Sequence, residues 1–288
     1  MKILLIGNSY SYYWTDELYG LLTAAGEKDV RVSNVYYSGC TFERHHNWHV
    51  AGEKNYTFCT VAKGERTTEK GVDLEHCLSS DEWDLISFQE SNRYREEDMR
   101  RTVGEHLPYL YNLVHSRFPN AKYVWQHNWA HEIYRASGKG EDSLEDQLKR
   151  NETFARIAGE VCAEYGFQRI PLGDAWVLVR HDPLFFEKGE GEFPVRSLHT
   201  RIMHAGAHKG EIINSDPSHD GDVGGGQYLN ACVWFEMLTK KSVVGNPFRP
   251  FYVYKGLDMT LSEEKIALLQ NAAHKAVLTA YGEAFYEK

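Results

Sequence analysis

Acyl transfer at a protein side chain needs a hydroxyl or thiol to attack, an imidazole to take its proton, and a carboxylate to hold the imidazole in the right tautomer. This chain carries those groups at two distant points. Ser9 stands in Gly7-Asn8-Ser9-Tyr10-Ser11, directly after the apolar run Ile3-Leu4-Leu5-Ile6. Asp216 and His219 stand together in Asp216-Pro217-Ser218-His219, from which one turn could supply both base and carboxylate. A buried strand that stops at a glycine and turns straight into a helix presents its next side chains at the carboxyl edge of a parallel sheet, where open α/β folds bind ligands. Ser9 occupies that edge.

The elements that would position these groups follow from apolar runs alternating with helical patterns. Strands are expected at Ile3 to Ile6, Val30 to Tyr37, Trp83 to Phe88, Tyr123 to Gln126 and Phe167 to Pro171. Helices are expected from about Thr15 to Ala25, Glu96 to Phe118 (broken by Pro108) and Ser143 to Tyr165. Such alternation implies a parallel sheet with helical crossovers. Tyr56, Phe58 and Val61 suggest a short hairpin or edge segment before the third parallel strand. The stretch 185–214, with several Gly and no clear period, reads as a long loop of the kind that forms lids. Val223 to Leu238 reads as an amphipathic helix, and Thr260-x-x-Glu263 as a capping box opening a last helix at about 261–281. We expect one domain over residues 1–288.

Composition narrows the class. At 288 residues, 42% hydrophobic and 25% charged, the chain can bury a substantial core. A formal net charge of -9 disfavours nucleic acid, whose binding needs clustered cations. Cys40, Cys59, Cys77, Cys162 and Cys232 are scattered without a C-x-x-C pair, which argues against a disulfide framework or a cysteine zinc site. No apolar stretch approaches the roughly 20 residues that span a bilayer, so no membrane partner is expected. The first residues form too short an apolar run for a secretory leader, which points to the cytoplasm, or to the periplasm or secretion if the N-terminus was processed or trimmed.

Gly7-Asn8-Ser9, Ser38-Gly39, Gln89-Glu90-Ser91-Asn92 and Asp216-x-x-His219 occur in the order of the four blocks of SGNH (GDSL-type) hydrolases. Over roughly residues 1–240 the chain resembles a divergent, bacterial branch of that superfamily. The resemblance implies an α/β fold, a three-layer α/β/α sandwich with a parallel five-stranded sheet of flavodoxin-like type. It also implies that Ser9 is the nucleophile in a triad with Asp216 and His219. The oxyanion hole would comprise the N–H groups of Ser9 and Gly39 and the side chain of Asn92, with Gln89 as fallback donor. Three positions depart from the pattern: Asn8 stands for the usual Asp, Glu90 for Gly and Arg93 for Asp. No cofactor or metal is called for. The partner would be a small-molecule or glycan ester, most simply an O-acetylated carbohydrate.

Other residues bear on substrate. Tyr10, Tyr12, Tyr13, Trp14, Trp48, Trp125 and Trp129 lie near expected strand ends and would form an aromatic rim suited to a sugar ring, or simply fill the core. Trp129, His45 on the loop after Gly39, and Arg93 are the candidate substrate contacts, Arg93 for a carboxylate. Of 14 histidines, several cluster as His45-His46-x-x-His49, His127-x-x-x-His131-Glu132 and His204-x-x-x-His208. A metal-dependent hydrolase built on them is one rival reading. A non-catalytic carbohydrate-binding protein on the same fold is the other.

Overall fold

The computed structural model describes residues 1–91, 95–132, 143–190, 194–202, 211–214, 223–251, 253–254, 257–258 and 260–287. In chain order the elements open with β1 (Lys2–Ile6), α1 (Thr15–Ala24), β2 (Arg31–Tyr36), α2 (Phe42–Ala51), β3 (Tyr56–Ala62), β4 (Glu65–Val72) and α3 (Leu74–Ser79). They continue through β5 (Leu85–Phe88), α4 (Glu96–Arg117), β6 (Lys122–Gln126), α5 (Leu144–Tyr165), β7 (Gln168–Ile170) and α6 (Leu172–Val179). Two short antiparallel pairs, β8 (Thr200–Ile202) with β9 (Ile212–Asn214) and β10 (Val253–Tyr254) with β11 (Leu257–Asp258), flank α7 (Gly226–Thr239), and α8 (Glu263–Tyr281) follows, with a single 3-10 turn (Glu283–Phe285) after it.

The main sheet has 7 strands in the order β4-β3-β2-β1-β5-β6-β7, where five parallel strands were expected. The sheet is mixed. Strands β2, β1, β5, β6 and β7 run parallel, and the hairpin β3–β4 adds antiparallel to the outer side of β2. The alternation at Tyr56, Phe58 and Val61 marks the first strand of that hairpin; its polar second strand carries no apolar signal to find.

Both faces of β1 are buried, which is why its sequence is continuously apolar. Ile3 and Leu5 enter one core with residues of α1, α6, α7 and α8. Leu4 and Ile6 enter the other with residues of α2, α3, α4 and α5. The helices thus form a layer on each side of the sheet. Because β2 and β5 lie on opposite sides of β1, the chain reverses its direction of travel across the sheet there, which puts the switch point, where open α/β sheets bind ligands, at the carboxyl ends of β1 and β5. Ser9 follows β1 and Gln89 follows β5.

Three expected elements change in detail. Helix α4 runs unbroken through Pro108: the lost N–H costs one bond, but Met99, Val103, Leu107, Leu110 and Val114 keep a single buried stripe that holds both halves on the sheet. Helix α7 begins at Gly226 and is buried on every side through Met237, so it is a core helix and not an amphipathic one. It lies beneath α1, α6 and α8, and its Asn230 accepts a 2.8 Å bond from the Trp176 indole N–H. Helix α8 is capped by Ser262, which accepts from Lys265 N–H; the Thr260 N–H instead bonds Asp258.

Part of the stretch expected as a lid is core. Phe185, Ser197, Leu198, His199 and Thr200 are buried, and a bridge joins Glu187 to Arg196. All five cysteines are free, four of them buried. Among the described residues no helix is long and apolar enough to cross a membrane.

The first residue of α7 tests this packing. A Cβ on Gly226 would lie 2.6 Å from the Leu198 carbonyl oxygen and 2.6 Å from the Trp176 ring. Gly226→Ala is expected to destabilise by roughly 1–3 kcal/mol in urea unfolding. Gly159→Ala, in α5 with nothing within 4 Å of the added methyl, should instead stabilise by roughly 0.5–1 kcal/mol. Equal effects would contradict the close approach at α7.

Candidate active site

After β1 the chain passes through Gly7 and Asn8 into a single 3-10 turn, Ser9–Ser11. From Ile3 to Tyr12 every residue is buried except Ser9. The buried turn has its polar groups met from all sides. Asn8 N–H donates to Gln89 Oε1 at 3.0 Å, and Asn8 Oδ1 accepts from Tyr10 N–H at 3.1 Å. The Tyr10 carbonyl accepts from the Trp14 indole at 2.6 Å and from Gln126 Nε2 at 3.0 Å. Asn34 of β2 donates to the Ser11 carbonyl at 2.9 Å. The Ser11 hydroxyl bonds Asn8 O at 3.2 Å, so it belongs to the turn, leaving Ser9 as the residue presented outward.

Gly7 is required by space. A Cβ there would lie 2.5 Å from Gln89 Oε1 and 2.7 Å from Ser11 Oγ. Its carbonyl is met by His45, which is fully buried in α2 and not on the preceding loop. His45 Nε2 is 3.0 Å from Gly7 O, and Nδ1 is 2.9 Å from the Tyr56 hydroxyl. A carbonyl accepts only, so Nε2 carries the proton and Nδ1 accepts from Tyr56. Burial holds this imidazole down to about 4.

Gly39 adopts φ +63, in the left-handed region, and a side chain there would meet nothing within 4 Å; glycine is present for the turn that Cys40 N–H closes onto the Tyr37 carbonyl at 3.1 Å. Asn8 ties this turn to the turn that carries Ser9. Its Nδ2 donates to Cys40 O at 2.8 Å, a bond that the usual Asp could not donate. The departure at position 8 therefore has a local reason. Gln89 accepts from Asn8 through its oxygen and donates through its nitrogen to Glu90 O, so its amide holds the turn.

Glu90, a departure that reads from sequence as a weak block, is 1% exposed. Its Oε2 accepts from Phe42 N–H at 2.9 Å and its Oε1 from Ser91 N–H at 2.5 Å. Burial pushes the carboxyl up to about 8, with the two N–H bonds pulling the other way. Asn92, Arg93, Asp216 and His219 lie outside the described residues, as do His204 and His208.

Two expected substrate contacts are withdrawn by burial. Trp129 is 0% exposed, stacked on Trp176 at 4.5 Å with Tyr10 against its edge at 5.0 Å. His45 is also 0% exposed and pins Gly7. Of the anticipated aromatic rim, Tyr10, Tyr12, Trp14, Trp125 and Trp129 are core residues, and only Tyr13 and Trp48 are partly exposed. The histidine clusters disperse as well. His46 pairs with His106, His49 with Tyr109 and Glu75, His127 with Arg169, and His131 with the Tyr10 hydroxyl. Among the described residues no three His, Cys, Asp or Glu side chains converge as a metal site.

Asn34, Gln126 and Glu90 are the residues that sequence reading misses. Their signal is a polar residue inside, or at the end of, an otherwise buried strand, where only a specific partner offsets desolvation.

A family model described as a domain of unknown function, DUF4886, matches residues 2–157. The chain belongs to the DUF4886 family. Its turn after β1 and the loops after β2 and β5 all fall within that match. A crystal structure of a DUF4886 protein from Bacteroides uniformis ATCC 8492 is similar over 97% of this chain and 95% of its own, at 24% identity and TM-score 0.71, and shares the fold. Two solved structures are more remotely similar. A GDSL-like lipase from Bacteroides thetaiotaomicron VPI-5482 has 12% identity and TM-score 0.39 over 67% of this chain and 80% of its own. A phospholipase A1 from Streptomyces albidoflavus NA297 has 14% identity and TM-score 0.40 over 80% and 98%. No curated protein matches.

The neutral state of His45 gives a pH test. In the unfolded chain this imidazole takes its proton near 6.5, in the fold only near 4. The unfolded state therefore binds more protons between those values, and stability rises with pH across them. His45 should contribute roughly 3 kcal/mol that is present above pH 6.5 and lost as pH falls toward 4. His127, held down to about 4 by burial, acts in the same direction. Urea unfolding of His45→Gln should start from lower stability at pH 7 and show a shallower decline to pH 5. A decline parallel to that of the unaltered protein would remove His45 as the cause.

Proposed function

We propose that this DUF4886 protein is a serine ester hydrolase that works through an acyl-enzyme on Ser9. The observation that carries the reading is that Ser9 alone is partly exposed in an otherwise buried, closely bonded turn at the switch point of the sheet. A hydroxyl held there on a rigid support is placed for attack at the site where ligands enter such sheets. Metal ligation by the histidine clusters has no such geometry behind it among the described residues.

In the proposed reaction Ser9 Oγ attacks the ester carbonyl while His219 takes its proton, with Asp216 orienting the ring. The tetrahedral oxyanion is stabilised by Ser9 and Gly39 N–H groups and by Asn92. Gly39 N–H is not used by its own turn, whose bond is made by Cys40. His219 then protonates the leaving alcohol, and water repeats the cycle to release the acid. As substrate we propose an O-acetylated carbohydrate. The reason is the sequence resemblance, since most of the aromatics expected to form a sugar-binding rim lie in the core.

Treatment with a fluorophosphonate, followed by intact mass and peptide mapping, tests the nucleophile. One adduct on Ser9, absent in Ser9→Ala, is expected, together with at least a thousandfold loss of p-nitrophenyl acetate hydrolysis in that variant. No adduct would overturn the reading. Acetate release from O-acetylated glycans, set beside hydrolysis of longer acyl esters, tests the substrate class; preference for the longer chains would sink it.

A further inference from the structure

The loops after β1, β2 and β5 are joined in a closed circuit. Asn8 N–H bonds Gln89; Gln89 leads to Glu90; the Glu90 carboxylate holds Phe42 N–H at the start of α2; and two residues back Cys40 O holds the Asn8 side chain. Asn128, after β6, braces it by donating to Glu90 O at 3.0 Å. Glu90 is the one ionisable side chain whose own hydrogen bonds close this circuit. Around it stand Glu43 in the first turn of α2, whose charge opposes ionisation, and the buried Cys40 thiol, itself pushed up by burial. Among the described residues no cation is paired with it.

Both carboxyl oxygens already face N–H donors. An ionised carboxylate accepts from both with charge-assisted bonds. A protonated one keeps acceptor capacity but has lost its charge, and its O–H must turn away from the two N–H donors, so the pair of bonds is weakened. The bond to Phe42 holds the first residue of α2, whose N-cap is Thr41, and so ties the segment after the Gly39 turn to the loop after β5.

We propose that Glu90 is a positioning residue that clasps the Gly39 turn to the Ser9 turn, and that its ionisation tightens the clasp and raises the reactivity of Ser9. The proposal rests on the serine-hydrolase reading. It gives the pH dependence a second limb above the imidazole range, since burial holds the Glu90 carboxyl near 8. Glutamine at this position is uncharged at every pH and turns an NH2 against one N–H donor.

The test is the rate of fluorophosphonate labelling of Ser9 from pH 6 to 9.5, in unaltered protein, Glu90→Gln and Glu90→Asp, with p-nitrophenyl acetate kinetics alongside. The unaltered protein should show a rise through about pH 8 beyond the first limb. Glu90→Gln should lose that rise and label roughly tenfold more slowly at pH 9, with the loss in kcat and KM within twofold. Glu90→Asp should keep the rise at a reduced rate. A Glu90→Gln profile that matches the unaltered one overturns the proposal. If the variants do not fold, the unaltered protein decides: labelling that is flat from pH 7.5 to 9.5 overturns it. Absence of labelling at every pH overturns the hydrolase reading itself, a result distinct from labelling without the second limb.

Discussion

A backbone turn buried at the end of a central strand has no water to bond, so each of its N–H and C=O groups must find a partner in the protein. Leaving one unmet costs roughly 1–3 kcal/mol, against a total stability of about 5–15 kcal/mol for an ordinary domain. The turn after β1 contains several such groups. They are met by side chains from four elements or the loops that follow them: Asn34 of β2, His45 of α2, Gln89 after β5 and Gln126 of β6. The architecture around the sheet centre follows from this requirement. Each of these side chains is buried in turn and needs its own partner, as when Trp234 of α7 donates to Gln126 Oε1 at 3.2 Å.

The same bonds make the turn stiff. A side chain carried on such a support keeps its direction without ordering entropy at the moment of reaction, which is what a nucleophile requires. Tight packing reinforces this, because Gly7 leaves no room between Gln89 and Ser11 for any side chain. Both cores also converge on the turn. Tyr10 and Trp14 belong to the core under α1 and α7, while the Gly39 loop passes into the other through Cys40 and Phe42.

Much of this is legible in the chain. Apolar runs and helical spacing locate the five parallel strands, α1, α4 and α5 to within a few residues, and the position of Ser9 at a strand end follows directly. Helix α2 escapes such a reading, because its sequence, Phe42–Ala51, is rich in His and otherwise largely polar, and its buried side consists of Phe42 and His45. The aromatic residues near strand ends mislead for a related reason: composition tells how much apolar surface a segment carries but not which way it faces. Trp125 points inward as part of β6, whose side chains enter the core with α5, and Trp129 because the loop after β6 packs against Trp176 of α6, tertiary facts without a local signature. Glu90 looks like a defect in a motif, since only the fold brings the N–H of Phe42 to its carboxylate.

The hairpin β3–β4 has a consequence for how copies of this protein behave together. A parallel sheet ending at β2 would expose a row of unpaired backbone groups along a Val-rich strand, an invitation for another chain to add on. Here that row is taken up by β3, and the outermost strand β4 carries Glu65, Arg66, Thr67, Thr68, Glu69 and Lys70, almost all exposed, with a register irregularity near Gly71. Charge and a local kink both discourage further pairing. At the opposite margin β7 is only 3 residues long. Neither margin therefore offers another chain a long, flat, apolar edge to pair with.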